Sequence, residues 1–123
     1  MNLIGRVSKV NYEDGTVRVT YPERDGMVTD DLPMLALSGE YRMPAVGDEV
    51  IVTHLSSNRN FGVVLGRYWG SGNVPAESGK GLFLKEIGTA PGEAYIKCEG
   101  DEITFHDKNG SVTLAEIISA LGG

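Results

Sequence analysis

The 123-residue chain has room for one ordinary domain, or for a barrel of about 75 residues with an appendage, and a barrel that small would bury only roughly 60% of the surface its unfolded chain exposes. Self-association is therefore the first expectation. Seventeen acidic against eleven basic residues, a net charge of -6, repel phosphate backbones and anionic headgroups and argue against nucleic acid as a partner.

The first strand carries Ile4, Val7 and Val10 and is bent at Gly5. No signal-like apolar region follows Met1, and no run approaches the ~20 apolar residues of a membrane helix, so a protein made and kept in the cytoplasm is expected. Asp14-Gly15 marks a hairpin turn, because such turns need positive φ. Thr16 to Tyr21 is the clearest period-two strand. Pro22 ends it, Asp25-Gly26 turns the chain again, and Met27–Thr29 and Leu32–Leu35 make a third strand in two pieces. Residues 36–47 are broken by Gly39, Pro44 and Gly47 and read as a loop. Strand four runs from Glu49 to Leu55 and strand five from Phe61 to Trp69, with Gly62 and Gly66 at places where backbones can cross closely. Five short strands with a long third connection predict a mainly β protein with a closed OB-type barrel over residues 1–70.

A linker over 71–81 follows, rich in Gly and Ser. Strand-like runs recur at Leu82–Ile87, Ala94–Glu99 and Glu102–Asp107, separated by Pro91-Gly92 and Gly100-Asp101. Cys98, the single cysteine, has no partner for a disulfide or a thiolate metal site and reads as a small core side chain. Asn109-Gly110-Ser111 has the form of a glycosylation sequon but reads as a turn. A helix over 113–123 begins at Thr113, with Glu116 completing a capping box. Leu114, Ile117, Ile118 and Leu121 form its apolar stripe, and Gly122 and Gly123 stop it. So short a helix must dock, on its own chain or on a neighbouring copy.

No catalytic constellation emerges, so no enzyme, no cofactor and no metal is expected. His54 and His106 stand apart, without an H-x-H or H-E-x-x-H pattern, and read as strand-end residues in solvent. Only a threefold axis through His106 would make a ring of imidazoles. Gly79-Lys80-Gly81 lacks the remainder of a phosphate loop. The acidic pairs Asp30-Asp31, Asp48-Glu49 and Asp101-Glu102 point to opposite strand faces and read as solvated. For base stacking, strands two and three offer mainly Tyr21, while Arg18, Arg42, Arg59 and Arg67 are outnumbered by acids.

Ile4-Gly5-Arg6-Val7, Gly15-Thr16-Val17-Arg18-Val19, Tyr21-Pro22, Asp25-Gly26, Leu32-Pro33, Tyr41, Met43-Pro44, Val46-Gly47-Asp48, Val50 and Gly62-Val63-Val64-Leu65-Gly66 together resemble the N-terminal barrel of the phage baseplate assembly protein V family. These proteins are the central spikes of contractile phage tails, phage-tail-like bacteriocins and related injection systems. The likeness covers about residues 1–75. It implies a homotrimer on the tail axis, made in the bacterial cytoplasm and built into the baseplate. The barrels would seat on a hub protein, and the C-terminal segments would form a β-helix-like needle that pierces the target cell envelope when the sheath contracts.

The residues of the tail agree with that implication. Leu82/Leu84, Ile96/Cys98 and Ile103/Phe105 in the β segment 82–112 can bury their side only against a partner. With Leu114, Ile117, Ile118 and Leu121 they make up the expected trimer interface. The chain departs from the family in lacking both a long needle with an H-x-H iron site and a lysozyme domain. Three strands at ~4.8 Å rise only about 15 Å, against ~40 Å for a bilayer with its headgroups. A stubby spike with room for a separate tip protein follows. The competing reading of the sequence is a monomeric OB-fold module for nucleic acid or glycan.

Overall fold

A computed structural model describes residues 1–58 and 60–122. Among the described residues the protein is mainly β, with ten strands in two sheets and one short α-helix. It divides into two compact units, Met1–Asn73 and Val74–Gly123.

In the first unit β1 (Asn2–Asn11) and β2 (Thr16–Tyr21) form a hairpin, followed by the short strands β3 (Met27–Val28) and β4 (Leu32–Pro33) and then by β5 (Glu49–His54) and β6 (Gly62–Gly66). The sheet order is β3-β2-β1-β5-β6, with β4 also on β2. Beyond β4, Met34 makes a parallel bridge to Val64, and the Leu35 N–H donates to the Val64 carbonyl at 2.9 Å. The alternation of β2 and β5 sends Val17, Val19 and Tyr21, and Val50, Val52 and His54, to one buried side. Val7, Leu32 and Val64 complete the core, with Leu3, Val10, Met34 and Met43 packed around it.

Gly5 is required where it stands. A Cβ there would lie 2.3 Å from Val19 Cγ1 and 2.8 Å from the Tyr21 ring, well inside van der Waals contact. The register slips between Val7 and Lys9, a bulge that breaks the alternation of β1. The expected fifth strand, Phe61–Trp69, ends at Gly66, whose φ of +123° turns the chain away from the sheet. Trp69 follows as an exposed side chain.

In the second unit β7 (Leu82–Glu86), β8 (Tyr95–Glu99), β9 (Glu102–Asp107) and β10 (Gly110–Thr113) form an antiparallel meander in chain order. Gly100 and Asp101 both have positive φ, 59° and 61°, as the two-residue hairpin between β8 and β9 demands. Of Asn109-Gly110-Ser111, expected as a turn, only Asn109 lies in the turn; Gly110 and Ser111 belong to β10. The helix α1 (Leu114–Ala120) starts at the capping box, with Glu116 N–H donating to Thr113 Oγ1 at 3.1 Å and Thr113 N–H to Glu116 Oε1 at 3.0 Å. Leu121 closes it and Gly122 takes a φ of +77°; Gly123 lies outside the described residues. α1 lies near β9 and β10. No helix among the described residues is long and apolar enough to cross a membrane.

Candidate functional site

The two units differ in how they use their apolar side chains. Every fully buried residue of the described chain lies in the first unit, and none of residues 74–122 reaches that state. The registers explain where the apolar side chains of the second unit go. Phe83 faces Cys98, which faces Ile103; Ile96 faces Phe105, which faces Val112. Directly paired residues share a face of a sheet, so these six form one apolar face, joined by Lys85 opposite Ile96. Phe83 is 60% exposed and Phe105 39%.

The opposite face is polar. Glu86, Tyr95, His106 and Ser111 lie in one row across it, and Leu84, Lys97, Thr104 and Thr113 in the next. Tyr95 stacks on His106 with ring centroids 4.8 Å apart, and His106 Nδ1 is hydrogen-bonded to Ser111 Oγ. Lys97 sits 5.6 Å from the Tyr95 ring centroid and pairs with Glu77 at 3.3 Å. Glu77 holds the lysine ammonium, raising its pKa, with burial opposing.

The structure thus brings together Ile96, Cys98, Ile103 and Phe105 and puts Leu82 and Leu84 on the other face. Phe83 and Val112 join the apolar face instead. In Leu82-Phe83-Leu84 three consecutive apolar residues hide the alternation, and Val112 lies on a strand whose first two residues read as part of a turn. His106 is also on the polar face, away from the apolar one. On α1, Ile117 is half-buried, while Leu114, Ile118 and Leu121 are exposed, Leu121 at 82%.

His54 is not a strand-end residue in solvent. It is 4% exposed and takes the inward position after Val50 and Val52. Its Nε2 lies 2.6 Å from Tyr21 Oη, and its Nδ1 3.3 Å from the Phe61 carbonyl oxygen. A carbonyl can only accept, so Nδ1 carries the proton and Nε2 accepts from the Tyr21 hydroxyl. Burial pushes the Tyr21 hydroxyl up to about 12, with Arg24 pulling it down. Tyr21 is itself 2% exposed, which removes it as a base-stacking surface. The signal for both was the unbroken alternation Val17-Val19-Tyr21 and Val50-Val52-His54.

Acids meet two of the arginines they outnumber, Arg18 pairing with Asp31 at 2.9 Å and Arg67 with Asp48 at 3.8 Å; Arg59 lies outside the described residues. Glu49 accepts from the Tyr68 hydroxyl, whose pKa is raised by that bond first and by burial second. Among the described residues no three His, Cys, Asp or Glu side chains are grouped so as to hold a metal ion. No protein-family model and no curated protein matches the chain.

Proposed function

We propose that the chain is a structural subunit, the central spike of a contractile-tail baseplate, acting as a homotrimer. The observation that carries this reading is the second unit, four strands and a helix without one buried residue among those described. Each Ile or Phe on its apolar face gains roughly 1.5 to 3 kcal/mol on full burial, and a threefold axis supplies the cover three times over. Phe83, Ile96, Cys98, Ile103, Phe105 and Val112 line the interior of a β-helix-like needle. The exposed stripe of α1 packs at its end.

In the first unit the pairing of β4 with β2 and the link from Met34 and Leu35 to Val64 support a sheet that returns on itself. That circuit, β1-β2-β4-β6-β5, is what a five-stranded OB-type barrel requires, and the barrel seats on the hub protein. With β10 included, four strands at ~4.8 Å rise about 19 Å, so the spike is stubby and takes a separate tip protein or a target-specific extension. It pierces the target envelope by force transmitted from the sheath, and no chemistry is asked of its side chains.

Light scattering on the purified chain tests the assembly. A mass near three times 13.2 kDa is expected, and a mass of one chain overturns the spike. Gold-labelled antibody on purified contractile-tail particles tests the location. Label at the baseplate end of the tube is expected, and label elsewhere overturns it.

A further inference from the structure

β1 runs further than the strand on one side of it. It pairs with β5 over residues 2–6, whereas its pairing with β2 starts only at Arg6 opposite Thr20. Continuing that register would set Pro22 opposite Ile4, and a proline has no N–H to give. The chain turns off there into the single 3-10 turn Pro22–Arg24.

The direction of the main-chain groups follows from the two ends of the β1–β5 ladder. The Met1 amine donates to the His54 carbonyl at 3.1 Å and the His54 N–H to the Met1 carbonyl at 2.7 Å. At the other end the Val7 N–H donates to the Asp48 carbonyl at 2.9 Å. In an antiparallel pair such bonds fall on every second residue. Leu3 and Gly5 therefore bond towards β5 as well, and Asn2 and Ile4 turn their N–H and C=O the other way. Among the described residues no backbone hydrogen bond outside the strand ladders reaches either of them. On that side lies a groove of about 500 Å³, walled by residues 2–6 and 21–24.

We propose that this groove is a strand-addition site, in which an acidic, extended segment of a partner protein pairs with β1 along Asn2–Gly5. Two donor–acceptor pairs set two residues apart, about 7 Å, match another extended backbone and no compact ligand. Ile4 is 54% exposed beside them, so the segment carries an apolar residue at the position next to it. Charge selects acids for its other positions. Arg6 donates to the Gly47 carbonyl at 3.5 Å and Arg24 to the Met1 sulfur at 3.6 Å, neither of which is charged. Against them stand Glu23 and Glu49, but Glu49 lies across β1 on β5 and already accepts from the Tyr68 hydroxyl. The edge itself is therefore positive on a chain of net charge -6, and an acidic segment is steered to it. The site lies wholly in the first unit and does not rest on the trimer.

Amide hydrogen exchange on the full chain tests the edge. Ile4 should exchange at least about tenfold faster than Leu3 and Gly5 on either side of it, and equal protection of the three overturns the proposal. The binding probe is a short blocked peptide of alternating glutamate and valine. At millimolar concentration it should shift the Asn2 and Ile4 amide resonances and slow exchange at Ile4; no shift overturns the site. Arg24→Glu should weaken this binding by about tenfold, and an unchanged affinity overturns the preference for acids. The same peptide N-methylated at every amide keeps its side chains but has no donor, so it should not bind. Equal binding by it would overturn strand pairing. Protection of Ile4 that rises with protein concentration alone would make the occupant a second copy of the chain and overturn the partner.

Discussion

The Tyr21–His54 hydrogen bond joins the ends of the two best-formed core strands, and its protons give it a pH signature. Tyr21 in the folded chain titrates at about 12 against 10.0 in the unfolded one. Because the folded pKa is the higher, the native state keeps a proton that the unfolded state has lost between these values. The stability from this group is whole below about pH 10 and falls as the pH rises to 12, by on the order of 2 kcal/mol. Tyr21→Phe abolishes that loss, and at neutral pH it leaves His54 Nε2 buried without a donor, at about 1 to 3 kcal/mol. Urea denaturation of both proteins at neutral pH and near pH 12 checks this. The gap between them should narrow at high pH, and an unchanged gap rules the account out. The same pair shows where the sequence misleads at this scale. Histidine is read as a surface residue by type, while its place in the alternation puts it inside, where one acceptor and one donor position are both met.

Elements were legible in proportion to the purity of their period. β2, with strict alternation from Thr16 to Tyr21, emerges with the bounds its pattern predicts, and α1 begins where its capping box places it. β10 is four residues long and opens on a glycine, so nothing in its composition separates it from the turn before it. The strand at 82–86 was legible as an element but not in its facing, since Leu82, Phe83 and Leu84 satisfy either side and only the register with β8 decides. The cap itself is open to measurement. Thr113→Ala removes the acceptor for the Glu116 N–H and should cost about 1 kcal/mol. In a helix of seven residues that is enough to fray the first turn. Amide hydrogen exchange at Glu116 should speed up while β2 and β5 exchange as before; equal speeding in β2 and β5 would mean a global effect and would reject a local cap.

At the scale of the molecule, the sequence leads one to expect a tail that does not cover itself, because its apolar residues are many and its strands few. It does not show which face is bare, which depends on pairings between residues far apart in the chain. The contrast between the units leads to a sharper expectation than a mass alone. The core of Val7, Val17, Val19, Leu32, Val50, Val52 and Val64 lies wholly within residues 1–73, so a fragment of those residues should fold by itself. It should unfold cooperatively, with a midpoint independent of protein concentration. In the proposed trimer, β7 to β10 and α1 draw their stability from neighbouring copies of the chain, and mass action would make that stability rise with concentration. In the full chain, hydrogen exchange in β7 to β10 should therefore slow as the protein is concentrated, while exchange in β2 and β5 stays constant. Phe105→Asp on the apolar face should remove the concentration dependence, because a carboxylate buried there without a partner costs more than the face can return. If β7 to β10 are equally protected at every concentration in both proteins, the second unit is stable as a monomer and the trimeric needle is wrong.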